Sequence, residues 1–385
     1  MTIFARLNAK REELEDKCNS LTHSSVPKTI LQNKIKTLNE LINAYGSTNR
    51  PISLTESELI LNQQVGFDEQ KRLILETAEI NEFWEKKGIK KNPLILCLVG
   101  PFGVGKTTFA QIIAQALGKK FFSVTLSGLS ETSTFVGSEN NSPANNAGQL
   151  VQALVETQIS NPVILLDEID KASLSLKNCL LNILDPKQNH AVLDYYLDVK
   201  LDFSQITFVL TANETKSFLP FLRDRMLTIE IPGYNGEQKK EIANKIIQQW
   251  IKEKGFNHDN LEITAGTLKI LINKTQEKGV RQLEMALNRI FDYCLLQWSH
   301  QLKESERENK ITITPSLVNQ IIPHNFSSSE QEEEQRNKND TKIQNTESLW
   351  FFLFVLGLTT GGILSIFNSN NYKTSKIATI SQKTP

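Results

Sequence analysis

The chain has no paired cysteines. Its four, Cys18, Cys97, Cys179 and Cys294, are scattered, and no two stand at C-x-x-C spacing. They read as reduced core or surface thiols in a reducing compartment. The five histidines, His23, His190, His258, His300 and His324, form no H-E-x-x-H, so a zinc peptidase helix is absent. Net charge is absent too: 43 basic residues stand against 43 acidic ones. There is no global electrostatic case for nucleic acid or for an anionic membrane. A secretory signal is also missing. Met1 to Lys17 mixes Arg6, Lys10 and Arg11 with Glu12, Glu13, Glu15 and Asp16, and no apolar run follows.

What is present is enough apolar sequence for a sizeable core. At 385 residues, 39% of them hydrophobic, the chain has room for two or three domains. One stretch organises the rest. Leu94 to Thr108 reads LILCLVGPFGVGKTT, an apolar run ending in Gly100-Pro101, then Gly103, Val104, Gly105, Lys106, Thr107 and Thr108. This is G-x-x-x-x-G-K-[ST] with a buried strand before it and a helical pattern after it. The glycines let backbone N–H groups close around a phosphate chain where a Cβ would block the approach. Lys106 is placed to reach the β- and γ-phosphates, and the Thr107 hydroxyl to hold Mg²⁺. The helix N-terminus adds partial positive charge beneath them. ATP and Mg²⁺ are therefore the expected ligands.

A second stretch completes that chemistry. Val163 to Leu166 is an apolar strand ending in Asp167-Glu168. Phosphoryl transfer needs a metal clamp and a positioned base, and these carboxylates supply Asp167 for the Mg²⁺ shell and Glu168 for the attacking water. A further buried strand, Ile206 to Leu210, leads into Thr211, Ala212 and Asn213, and a polar side chain at that strand end is placed to meet the γ-phosphate or the water. Strands alternating with helices predict an α/β fold, a doubly wound parallel sheet with ligand at its carboxyl edge.

The rest of the chain divides around this core. Residues 1–50 carry two amphipathic helical patterns, Ala5 to Lys17 and Thr29 to Tyr45, which read as a small helical hairpin or coiled-coil arm. An exposed hairpin packing only on itself and a partner-binding arm fit that pattern equally well. Residues 60–234 form the nucleotide core, with Gly128 to Gly148 a long polar loop. Residues 235–325 hold three helical patterns with little strand signal, a separate lid whose long helix opens with Arg281. Residues 326–348 are polar and acid-rich and read as a flexible linker. Residues 349–367 (LWFFLFVLGLTTGGILSIF) are uncharged. A bilayer core of ~30 Å asks for about 20 apolar residues, so this segment is expected to be a transmembrane helix. Trp350 stands at its start, where an interfacial aromatic belongs. Gly357 and Gly361 form a G-x-x-x-G, a weak signal for pairing. In the tail, 368–385, Lys373, Lys376 and Lys383 stand without an acid. That favours a cytoplasmic tail, whereas the nucleotide domain needs an ATP pool. The ATP requirement is weighed above the tail, giving a single-pass C-terminal anchor with the ATPase facing the cytosol.

Four stretches together resemble one family: Leu94 to Thr108, NPVILLDEIDK from Asn161, LDPKQNHAVLDYYLDV from Leu184 with the strand ending TAN, and DRMLTIEIPGY from Asp224 with GVRQLE from Gly279. They resemble the AAA+ ATPase part of the Lon proteases, from about Gly66 to about Trp298. The resemblance implies a P-loop core with a helical lid, phosphate and Mg²⁺ at Lys106 and Thr107, and a Walker B pair Asp167 and Glu168. It also implies sensor 1 at Asn213, an arginine finger at Arg225 reaching a neighbouring subunit's ATP, and lid sensor 2 at Arg281. A ring, usually a hexamer, follows from those roles.

The departures shape the functional expectation. The family's Ser-Lys peptidase domain has no counterpart before the linker and apolar segment, so peptidase activity is not expected. The loop that presents an aromatic-aliphatic pair to the ring pore is here Asn141-Ser142-Pro143-Ala144. The segment after Lys171 is shorter than in the family, and Phe102 stands where a second proline is usual. The resulting expectation is a membrane-anchored Lon-like ATPase that remodels or moves an unidentified protein partner. The alternative is an ATP-binding, non-catalytic scaffold or adaptor at a membrane. A nucleic-acid ATPase is argued against by the neutral charge and the lack of a basic aromatic patch.

Overall fold

The computed structural model describes residues 2–21, 26–49, 52–87, 94–129, 131–138, 147–216, 218, 220–254, 261–301 and 311–322. The chain divides into two units, Met1–Phe326 and Ser327–Pro385, and the second lies outside the described residues. The expected linker, transmembrane helix and tail, with Trp350 and the Gly357/Gly361 pair, therefore lie outside them, as does the 141–144 loop segment. Among the described residues no helix is long and apolar enough to cross a membrane.

The chain opens with α1 (Ile3–Asn19), capped by the Thr2 hydroxyl, and α2 (Val26–Tyr45). Then come α3 (Leu54–Leu61) and α4 (Asp68–Lys86). The nucleotide core follows: β1 (Ile95–Val99), α5 (Lys106–Ala116), β2 (Phe121–Thr125), α6 (Ser133–Val136), α7 (Gln149–Thr157) and β3 (Val163–Asp167). A single 3₁₀ turn, Ile169–Lys171, leads to α8 (Leu174–Ile183), β4 (Val192–Asp194), β5 (Val199–Leu201), β6 (Thr207–Ala212), α9 (Pro220–Arg223) and β7 (Leu227–Glu230). The lid holds α10 (Gly236–Lys254), β8 (Leu261–Ile263), α11 (Ala265–Lys274), α12 (Arg281–Gln301), β9 (Ile311–Ile313) and α13 (Pro315–Ile321).

The main sheet has the order β2–β3–β6–β1–β7, and every pairing in it is parallel. Its inner strands β1, β3 and β6 read as mainly apolar runs because both faces are covered, while β2 and β7 at the edges are partly exposed. Alternation in the pleat divides them between two cores. Ile95, Cys97, Ile164, Leu166, Phe208 and Leu210 join one cluster. Leu96, Leu98, Val163, Leu165 and Val209 join another, with Phe109 and Ile113 of α5. The expected parallel α/β core is what forms. β1 sits between β6 and β7 while the chain leaves it for β2, so the crevice opens at the carboxyl ends of β1, β3 and β6.

Three local expectations change. The stretch read as one loop from Gly128 contains α6, because Phe135 and Val136 are buried there. The lid is not purely helical, since β8 and β9 form a parallel pair. The N-terminal arm is not an appendage. Leu7, Leu14, Leu38, Leu41 and Ala44 belong to the same apolar cluster as the sheet residues Ile164 and Leu166. Polar contacts fix the same docking. Tyr45 Oη donates to the Asp202 carbonyl at 2.9 Å and accepts the Asp202 N–H at 3.1 Å. Lys10 pairs with Asp198 at 2.9 Å, and Arg6 donates to the Lys200 carbonyl at 2.8 Å. Periodicity had marked the apolar face of each helix, but not the surface that covers it.

The antiparallel hairpin of β4 and β5 turns on Asp194, which is buried. Its carboxylate accepts the Leu197 N–H at 2.8 Å and the N–H groups of Gly148 and Tyr196. It thereby ties the hairpin to the neck of the 137–148 segment. Burial pushes this carboxyl up to about 6, against the pull of those donors and of nearby Lys34.

Two outcomes follow. Leu38→Ala empties a fully buried site between arm and core, and is expected to lower unfolding free energy by about 2–5 kcal/mol, read as a drop in the urea midpoint. Asp194 retains its proton in the native state to a higher pH than in the unfolded chain. Its contribution to stability therefore falls as pH rises from the ordinary aspartate value to about 6, then levels. The stability difference between wild type and Asp194→Asn, measured across that window, is expected to carry this slope; a flat difference would refute it.

Candidate active site

The site grows out of the turn after β1. Gly103 and Gly105 hold φ values of +72° and +81°, left-handed conformations that side chains resist. Gly105 caps α5 without any side-chain hydrogen bond, so the first N–H groups of that helix face the cavity. At Gly100 a Cβ would lie 2.2 Å from the Ile231 carbonyl oxygen. Val104 is fully buried, and its carbonyl accepts from Tyr234 Oη at 2.8 Å. Gly100, Pro101 and Val104 thus shape the loop without lining its cavity.

That cavity measures about 380 Å³ and is lined by Gly103, Gly105, Lys106, Thr107 and Thr108, by Asp167 and Glu168, by Asn213, and by Arg281 of the lid. Lys106 Nζ donates to the carbonyls of Gly100 and Pro101 at 2.8 and 3.0 Å and to Asn213 Oδ1 at 2.8 Å. Burial lowers the Lys106 pKa, while Asp170, Asp167 and Glu168 pull it back up. An ammonium held by neutral carbonyls and flanked by carboxylates is poised for a polyanion.

Thr107 Oγ1 lies 3.1 Å from Asp167 Oδ2. A hydroxyl and a carboxylate converging at that distance make a hard-oxygen donor pair, which fits Mg²⁺. The register explains how they meet: β3 lies beside β6, and Leu166 faces Leu210, so Asp167 and Thr211 end side by side. Thr211 donates to Asp167 Oδ1 and accepts the Glu168 N–H at 3.0 Å. Glu168 itself takes a left-handed backbone, φ +60°, a strained conformation of the kind found at functional sites. Burial raises its pKa, but hydrogen bonds from Ser127 and Lys171 outweigh this and hold it below the usual glutamate range. Asn213 is oriented by Asp170, whose Oδ2 accepts both its backbone N–H at 3.0 Å and its amide at 3.1 Å.

The lid closes directly on this loop. The Val280 N–H donates to the Gly103 carbonyl at 2.9 Å, and the Tyr234 N–H to the Lys278 carbonyl at 2.9 Å. A Cβ on Gly279 would lie 2.3 Å from the Gly103 carbonyl carbon. This close contact is what brings Arg281, at the start of α12, to the cavity.

Residues 96–233 match the family described as "ATPase family associated with various cellular activities (AAA)". The chain is 35% identical over 316 residues to the Lon protease of Chlamydia trachomatis, covering 80% of this chain and 38% of that protein. It is 36% identical over 251 residues to the peroxisomal Lon protease homolog 2 of Danio rerio, covering 63% and 29%. To the Lon protease of Syntrophus aciditrophicus it is 38% identical over 225 residues, covering 57% and 28%. The chain carries an AAA+ module of the Lon type. It spans well under half the length of the relatives it matches.

Most of the predicted site residues meet in this AAA+ module, and Arg225 does not join them. It donates to the Leu181 carbonyl and to Asp185 Oδ2, both at 3.0 Å, outside the cavity of its own chain. Sequence reading missed Phe102, Val280 and Glu284 as lining residues, although all three lie inside the quoted motifs, and it left Asp170 without a role. The side-by-side ends of β3 and β6 show that Thr211, one of the strand-end polar groups, meets Asp167.

Gly279→Ala is expected to push the lid off the phosphate loop and weaken nucleotide binding at least tenfold by fluorescence titration. Gly236→Ala, where a Cβ meets nothing within 4 Å, is expected to bind like wild type. Equal affinities in the two variants would refute the lid contact.

Proposed function

We propose that this chain binds and hydrolyses ATP with Mg²⁺, and uses the cycle to remodel or move a protein partner. The observation that carries the reading is the convergence of Lys106, Thr107, Asp167, Glu168, Asn213 and Arg281 on one cavity. In this reading the first N–H groups of α5 and Lys106 hold the β- and γ-phosphates. Thr107 and Asp167 hold Mg²⁺, which neutralises charge on the phosphates when bound. Asn213, oriented by Asp170, positions the attacking water, and Glu168 takes its proton. Arg281 fixes the closed lid against the phosphates. Arg225, outside its own cavity, serves the ATP of a neighbouring subunit in a ring, and its ion pair with Asp185 holds it ready.

We further propose that the charge-free segment 349–367 anchors the chain in a membrane with the ATPase on the cytosolic side. Peptide-bond cleavage is not assigned to these 385 residues. The relatives are named as proteases, and the likeness covers 38% or less of each of those described. A second reading, a nucleotide-bound scaffold that does not turn over, is favoured by one feature only. The loop segment Asn141-Ser142-Pro143-Ala144 offers no aromatic side chain for gripping a polypeptide.

ATP turnover by the full chain in detergent, followed against protein concentration, tests the first reading. Turnover is expected to rise cooperatively with concentration. Glu168→Gln is expected to lower kcat by about 10²-fold or more while ATP still binds. Lys106→Ala is expected to lose binding, and Arg225→Ala to lose turnover alone. ATP binding through Lys106 with no turnover at any concentration would reject hydrolysis and leave the scaffold.

A further inference from the structure

One cation beside Glu168 has no role in the chemistry above. Lys171 closes the 3₁₀ turn that follows Glu168, and its own N–H donates to the Glu168 carbonyl at 3.0 Å. That turn folds the side chain back, so Lys171 Nζ meets Glu168 Oε1 at 2.9 Å. The same ammonium lies 5.7 Å from the centre of the Phe102 ring. Within about 6 Å, a ring face attracts a cation through its quadrupole. Lys106 lies 5.9 Å from that ring centre. Phe102 stands in the phosphate loop, lines the cavity and is 37% exposed. It links the phosphate loop to the group that holds the candidate base.

We propose that Lys171, seated between Glu168 and the Phe102 ring, is a positioning residue that restrains Glu168 and keeps basal ATP turnover low. The inference rests on the hydrolytic reading of the site. The backbone of Glu168 is already directed by its left-handed conformation and by the N–H bond to Thr211. What remains free is the direction of the carboxylate, which is shared between Ser127 and Lys171, with Lys171 supplying the only charged partner of the two. A carboxylate oxygen turned to an ammonium is not turned to water. The pair and the attacking water therefore compete for Oε1, and the pair fixes the plane in which the other oxygen lies. The rate is reduced by the fraction of the bound enzyme that stays paired. The Phe102 ring strengthens the restraint by holding the ammonium at the rim even when the pair opens.

The pair is partly exposed, with side-chain exposures of 45% and 31%, so its effect is modest. Lys171→Met in the full chain is expected to raise kcat for ATP about two- to fivefold with KM unchanged. Lys171→Arg, which keeps both the charge and the contact with the ring, is expected to match wild type. Phe102→Leu is expected to raise kcat by less. The double variant is expected to exceed Lys171→Met by nothing, because both changes act on one restraint. Adding Glu168→Gln to Lys171→Met is expected to abolish the gain. An unchanged or lowered kcat in Lys171→Met, beside an active wild type, would overturn the inference and leave the hydrolytic reading intact. So would a rise in Lys171→Arg equal to that in Lys171→Met. No turnover in wild type or in Lys171→Met, with ATP bound in both, would reject both readings.

Discussion

Everything at the site depends on backbone passing backbone with no side chain between. The phosphate loop runs under the carbonyl of Ile231 at Gly100 and under the lid at Gly103, and neither Gly100 nor Gly279 has room for a Cβ. Those contacts place the loop between the end of β7 and the start of α12. The loop can then present N–H groups inward because its outward side is occupied by other main chain. Tyr234 and Val280 fasten the arrangement with hydrogen bonds to Val104 and Gly103. The lid and the phosphate loop are therefore one mechanical piece, and a change in either is felt by the other.

Charge at the site follows from that geometry. Asp167, Glu168 and Asp170 crowd the end of β3, while Lys106 and Lys171 face them. The chain as a whole is neutral, so the field that meets a nucleotide is local. Each carboxylate has a different partner. Asp167 is turned by Thr211 and Thr107, Glu168 by Ser127 and Lys171, and Asp170 by Asn213. Three acids within four residues thus acquire three separate duties without any difference in side-chain chemistry between the two aspartates.

The same economy holds away from the cavity. The N-terminal arm contributes to the apolar cluster beneath one face of the sheet and is pinned to the β4–β5 hairpin by Tyr45, Lys10 and Arg6. That hairpin is in turn pinned by Asp194 to the neck of the 137–148 segment. A continuous set of contacts therefore runs from the arm to Gly148. The phosphate loop and the arm lie on opposite routes out of the same sheet, one through each of its cores.

The sequence by itself determined the strands of the main sheet, the phosphate loop and the chemical types at the site. Short apolar runs bounded by turn residues suit buried strands, and Gly-Lys-Thr at a strand end has few other uses. It determined Asp167, Glu168 and Asn213 as strand-end residues for the same reason. It did not determine the docking of the arm, because helical periodicity marks an apolar face without naming its cover. Nor did it give roles to Asp170, Lys171 or Phe102, or show that Thr211 turns to Asp167. Their roles arise from neighbours far away in the chain or from a backbone turn whose direction is set by packing. Arg225 marks the boundary between the two. Its motif was legible, but its side chain is held by Asp185 and Leu181, outside the cavity. Hydrogen bonds and Coulomb attraction act over a few ångströms of space, and only the tertiary structure decides which residues are that close.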